Sequence, residues 1–321
     1  MTCITSKRHF AKFYLAIFGF VFFFLVMALI ICTIQKEEVT TVGEVITAIV
    51  GAVLVFMAFY TVVRYYQYAP IIEVDDTSIT FNHSEKYFWK DLEHIELTGK
   101  KPFKFMGETK EATTLKFRGR QERYFFDDMY TNSHEIKFFI KQVVVDKQPY
   151  SDQKDFNADR STAASESFVY FNGYQLLCID GITFWFFLTP LLLVLAKLIM
   201  IVNIGGVIGA IIFTAIWTLI FARRLYYFGL SADYFVVKMN NLFWYRKVYR
   251  LSDIHEIVFE QHGKMPVSLR VITIDFQSNL FPADTLWSKK WMQLKGDLEK
   301  KNIKVRNEAV SYTPFEFKLF N

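Results

Sequence analysis

The sequence predicts an α+β membrane protein with four transmembrane helices and two small cytoplasmic strand-rich domains, each closed by a C-terminal helix. Three observations carry that prediction. Four apolar blocks are long enough to cross a bilayer, a polar strand-like segment follows each pair of blocks, and the two segments repeat one short pattern.

The chain has 321 residues, of which 52% are hydrophobic and 18% aromatic, with 35 phenylalanines. That is more apolar surface than a soluble core of this size needs. The net charge of +5 is too small to point to nucleic acid, and no nucleic-acid partner is expected.

The apolar blocks cover residues 13–34, 45–63, 182–202 and 204–222. A hydrocarbon core of about 30 Å needs about 20 residues at about 1.5 Å each, so every block can span. Backbone groups in lipid must find partners within their own segment, which makes each block a helix. The first block exceeds a signal-peptide core and lacks a small-residue cleavage site, so it is read as retained.

Positive charge near the helix ends sets orientation. Lys7, Arg8 and Lys12 precede the first helix, Arg64 follows the second, and Arg223 and Arg224 follow the fourth. The loop after helix 1 has Lys36 against Glu37, Glu38 and Glu44, and Lys197 can snorkel at the far end of helix 3. Both termini and both polar segments are therefore expected in the cytoplasm, with the chain integral to the cell (inner) membrane.

This order gives five segments: a tail and hairpin at 1–64, a strand-rich domain at 65–146, a polar linker at 147–177, a second hairpin at 178–224 and a second domain at 225–321. The stretch WKDLEHIEL at 89–97 aligns without a gap on LSDIHEIVF at 251–259, so that Asp91 meets Asp253 and Ile95 meets Ile257. Arg64 and Arg224 precede these aspartates by nearly the same length of chain. Helix, helix, strands and the same again is the pattern of an internal duplication.

Asn240-Asn241 suits a tight hairpin turn. Asn132 with Glu135 three residues on reads as a capping box. Ile136, Phe139, Ile140, Val143 and Val144 then form one apolar helix face, as do Trp291, Leu294 and Leu298 after a cap at Ser288. Each such helix should plug the open end of a small barrel or sheet.

A strand ending at Trp89 or Leu251, then Asp91 or Asp253, then an alternating strand, with closing helices near 132–146 and 288–301, resembles the pleckstrin-homology-like (PH-like) domain of many bacterial membrane proteins. In that family a two-helix hairpin often precedes the domain. The resemblance implies a fold and a membrane location, and little about activity. The phosphoinositide site of eukaryotic relatives lies on a basic first hairpin. The matching turn here, at 82–86, is not basic, so that activity is not carried over.

Residues that could carry chemistry are few. His255, Glu256 and His262 lack the spacing of a zincin helix, and no cofactor or metal is expected. Asp127-Asp128 reads as a turn. No nucleophile elbow, phosphate loop or dinucleotide motif occurs, so the chain is not expected to be an enzyme. Lys100, Lys101 and Lys104 with Phe103 and Phe105, and Arg246, Lys247 and Arg250, are candidates for contact with anionic headgroups. Gly205, Gly206, Gly209 and Ala210 let helix backbones approach, within the bundle or in a homo-oligomer.

Ionisable residues in the blocks sit near the ends, which favours a scaffold for protein or lipid contacts over the alternative, a small transporter or lipid-handling protein using the four-helix bundle. The expected partners are the lipid bilayer and a protein partner or second copy. Cys3, Cys32 and Cys178 have no metal or disulfide pattern and are read as free thiols. On intact cells a membrane-impermeant thiol reagent should reach at most Cys32, and labelling of Cys3 or Cys178 from outside would overturn the orientation.

Overall fold

A computed structural model describes residues 3–34, 41–103, 108–151, 165–174, 178–201, 204–239, 246–261 and 265–309. The chain divides into two compact units, Met1–Gln153 and Lys154–Asn321. It is α+β, with four helices long and apolar enough to cross a membrane and several antiparallel sheets.

The first unit opens with a short strand, β1 (Ile4–Thr5), ahead of the hairpin. A wide π turn at Phe10–Leu15 leads into α1 (Ala16–Ile34), and α2 (Thr41–Tyr68) returns. α2 runs past the predicted end because Arg64–Tyr68 keeps the helical geometry until Pro70, which has no N–H to continue it. β2 (Ile72–Val74), β3 (Ser78–Phe81) and β4 (Glu85–Phe88) follow. β2 pairs with β1 across the whole hairpin, with Ile4 opposite Val74, and completes a sheet of order β1-β2-β3-β4. Asn82 and His83 make the β3–β4 turn at positive φ, a conformation asparagine tolerates.

The stretch at Trp89–Asp91 is a 3-10 corner that turns the chain into a second sheet. There β5 (Leu92–Glu96), β6 (Lys100–Phe103) and β8 (Arg123–Phe126) all pair with the long β7 (Glu108–Phe117). α3 (Ser133–Ile140) and a π turn at Lys141–Val145 close the unit. Ile136, Phe139 and Ile140 are buried in the core with Val143 and Val144 packed against it, as the apolar stripe predicts.

The second unit follows a similar order up to its corner, but three strands rather than four then precede its closing helix and a further strand follows it. β9 (Val169–Phe171) precedes the hairpin of α4 (Ile179–Met200) and α5 (Ile204–Ala222). β10 (Tyr226–Leu230), β11 (Tyr234–Met239) and β12 (Arg246–Arg250) follow, in a sheet of order β12-β11-β10-β9. A 3-10 corner at Leu251–Asp253 leads to β13 (Ile254–Glu260), β14 (Ser268–Thr273) and β15 (Ser278–Pro282). α6 (Ser288–Lys300) closes this unit, and β16 (Val305–Asn307) adds a parallel edge to β13. Trp291, Leu294 and Leu298 are buried beneath the sheets.

The stretches at 89–97 and 251–259 share local features. Arg118 N donates to the Asp91 carbonyl at 2.8 Å, and Ile274 N to that of Asp253 at 3.0 Å. A bulge breaks β5 between Leu92 and His94 and breaks β13 at the aligned pair, Ile254 and Glu256.

Four expectations need correction. No barrel closes among the described residues: in each unit the 3-10 corner separates two four-stranded sheets, and apolar side chains fill the space between. The linker expected over 147–177 contains β9, because Val169, Tyr170 and Phe171 supply an edge to β10, with Phe171 opposite Phe228. The N-cap position of α6 is Trp287 rather than Ser288, without a side-chain cap bond. Asn132 stands at the N-cap of α3 but its side chain makes no cap bond: its Oδ1 accepts from Lys7 N at 2.7 Å, and its Nδ2 donates to the Thr5 carbonyl at 3.0 Å and to Glu135 at 3.3 Å. The Asn240-Asn241 turn lies outside the described residues.

Close packing beside β9 can be tested at a glycine. A Cβ on Gly173 would lie 1.7 Å from the Thr285 carbonyl oxygen, whereas one on Gly296 in α6 would meet nothing within 4 Å. Gly173→Ala should therefore destabilise by roughly 1–3 kcal/mol through overpacking. Gly296→Ala should be neutral or gain up to about 1 kcal/mol from helix propensity. Thermal melts of the detergent-solubilised chain give the order; equal melting temperatures would contradict the packing.

Candidate functional site

The strongest constellation in each unit lies where the strand-rich part meets the base of its hairpin. In the first unit the N-terminal segment runs along this junction. Ser6 N donates to the Ile72 carbonyl and Ile72 N to Ser6 Oγ, both at 2.7 Å. Arg8 donates from Nε to the Ala69 carbonyl at 2.9 Å, and its guanidinium lies 4.9 Å from the Phe13 ring and 4.6 Å from that of Tyr66. His9 caps the first turn, with Nδ1 accepting from Ala11 N and Lys12 N at 3.2 and 3.3 Å. Burial, with the Lys12 ammonium, holds the imidazole below the usual histidine range, which keeps Nδ1 an acceptor. Lys12 pairs with Asp128 at 2.6 Å.

Aromatic packing continues from the helices into the domain core. Tyr65 and Tyr68 of α2 stand 5.9 and 4.8 Å from Phe103, which meets Phe126 edge-on at 5.4 Å. Lys110 lies 4.4 Å over the Phe103 ring, and burial pushes its ammonium below the usual lysine range. Tyr130 donates its hydroxyl to the Pro70 carbonyl at 2.6 Å, and burial raises that phenol.

In the second unit Asp284 occupies the corresponding corner. Asp180 N donates to Asp284 Oδ2 at 3.0 Å, Arg224 pairs with Asp180 at 3.1 Å, and Asp284 N donates to the Arg224 carbonyl at 3.3 Å. Leu225 bridges to Ala283. Cys178 is buried beside this group, and burial pushes its thiol up to about 12, which favours the neutral form. Neither Cys3 nor Cys178 is in a disulfide.

Of the residues expected to touch headgroups, Lys101 and Lys247 have partners within the fold. Lys100 lies opposite Glu111 on β6, and Lys101 is paired with Glu122 at 2.6 Å. Lys247 donates to Asn279 at 2.7 Å, and burial lowers its ammonium. Arg246 opens β12, Arg250 is exposed at its end, and Lys104 lies outside the described residues.

Gly205, Gly206, Gly209 and Ala210 fall in the first two turns of α5. Gly206 and Ala210 are half-buried, but Gly209 is exposed and a Cβ there would meet nothing within 4 Å, so no neighbour crowds it.

Of the orienting cations, Lys7 and Arg223 are exposed, Arg64 donates to Tyr60 Oη at 2.8 Å and to Gln67 at 3.1 Å, and Arg8, Lys12 and Arg224 are built into the junctions. His255 lies on β13, 5.6 Å from the Phe276 ring, and His262 lies outside the described residues. Among the described residues no group of three potential ligands is placed to hold a metal ion.

Sequence reading missed the buried charges. Asp127 is no simple turn residue: it faces Lys137 at 2.5 Å, with the side chains 5% and 1% exposed. Glu260 and Arg270 form a second buried pair at 2.8 Å, completed by Ser278. Lys137 on an otherwise apolar helix face was the available signal. No family model matches the chain, and no curated protein matches it either.

Exposure separates the two neighbouring aspartates. Asp127→Asn removes the carboxylate facing a buried ammonium and should cost roughly 3–5 kcal/mol. Asp128→Asn breaks an exposed pair and should cost less than about 1 kcal/mol. Chemical denaturation of the solubilised full chain distinguishes them, and equal losses would refute the assignment of Asp127 and Lys137 as a buried pair.

Proposed function

We propose that this protein is a non-enzymatic, multi-pass protein of the cell (inner) membrane. In this reading it carries two copies of one module, a two-helix hairpin bearing a cytoplasmic PH-like domain. The module is a scaffold that holds a binding domain at fixed height and angle on the membrane surface for protein or lipid partners.

One observation supports this reading most. In each unit the chain enters a sheet before the hairpin and re-enters the same sheet after it, through β1–β2 and β9–β10. A domain gripped on both sides of its anchor cannot swing on a tether. The matched corners, bulges and closing helices support duplication. The cations Lys7, Arg8 and Lys12, gathered at the base of the first hairpin, support a cytoplasmic location for the domains under the positive-inside rule.

Purification of the tagged protein from its native membrane in mild detergent, with mass spectrometry of proteins and lipids together, tests the scaffold. A stoichiometric protein partner is expected, lost on substitution of exposed residues around Asp91 or Asp253. One enriched lipid species with no protein partner would favour the lipid-handling alternative, and turnover of a lipid or nucleotide by the pure protein would overturn the non-enzymatic reading.

A further inference from the structure

The base of the second hairpin carries an exposed rim that the junction does not use. Trp287 is 50% exposed and Tyr174 is 76% exposed. Both are close to the helix ends. Trp287 is three residues beyond Asp284, which bonds to both Asp180 at the start of α4 and Arg224 just after α5. Three residues reach at most about 10 Å. Gly173, next to Tyr174, packs directly on Thr285. The headgroup layer on one face of a bilayer is roughly 5–8 Å deep beyond the hydrocarbon. The rim is therefore within reach of the layer where Trp and Tyr are favoured.

Charge adds a second, independent observation. α6 has no acidic residue in its first turn, where the helix dipole favours one, and carries Lys289 and Lys290 there instead. Both lysines are exposed, as is Arg223 at the end of α5. The nearby acid, Asp284, is already engaged by the junction. Cations at a helix N-terminus are locally unfavourable, and an anionic surface facing them offsets that cost.

We propose that Tyr174, Trp287, Lys289 and Lys290 form an interfacial anchor that docks on the anionic headgroups of the membrane crossed by α4 and α5. The proposal rests on the reading of those helices as membrane-spanning.

The full chain is reconstituted in lipid nanodiscs containing shallow brominated lipids, either with phosphatidylglycerol or with phosphatidylcholine alone. The fluorescence of Trp287 is taken as the difference between the unmodified protein and Trp287→Phe. In anionic discs this component should be quenched and blue-shifted. In zwitterionic discs, or with Lys289→Gln and Lys290→Gln together, quenching should fall, by roughly fivefold in the docked-to-undocked ratio for each lysine removed.

The signal that remains in Trp287→Phe includes Trp185 and Trp217 inside the spans and reports insertion separately. Quenching of that signal with none at Trp287 would overturn the anchor alone. Absence of both would overturn the membrane reading and the anchor with it. Equal quenching of Trp287 in both lipids, insensitive to the lysines, would refute the requirement for anionic headgroups.

Discussion

The rest of each unit depends on one backbone contact, the pairing of a strand before the hairpin with a strand after it. A helical hairpin satisfies its own hydrogen bonds, so nothing inside it fixes the direction in which the following domain points. The ladder of Ile4 on Val74, and that of Val169 on Leu230, supplies that constraint. Once the base is closed, a few polar side chains hold the corner: Ser6, Arg8 and Asn132 in one unit, Asp180, Arg224 and Asp284 in the other.

The two junctions reach the same result by different chemistry. The first is mostly aromatic, with Phe13, Tyr65, Tyr68, Phe103 and Phe126 continuous from helix base to domain core. The second is a polar lattice around Asp284, with its aromatic packing split between the hairpin group of Phe184, Trp217 and Phe221 and the domain group of Tyr226, Phe228 and Phe281. What the two units share at this corner is backbone topology, fastened in each by different side chains.

The buried pairs Asp127–Lys137 and Glu260–Arg270 serve a different end. Desolvating such charges is expensive, so they add little net stability compared with apolar packing. What they impose is position. Lys137 can satisfy its ammonium only when α3 sits in one rotation against the end of β8, which fixes the closing helix beneath the sheets.

The sequence by itself determined the apolar helices, the closing-helix faces and the matching stretches at 89–97 and 251–259. These are written in local periodicity and run length, and a span of lipid or a helix face leaves few other solutions. Arg8, Asn132, Asp127 and Asp284 were legible only as topology, cap, turn or nothing, because their partners lie far away in sequence. The short strands β1 and β9 were invisible for the same reason: two or three residues carry no period, and they become strands only when the hairpin brings an edge alongside. Tertiary structure alone decided that the sheets stay open, since closure depends on where the corner turns and on what fills the space between sheets.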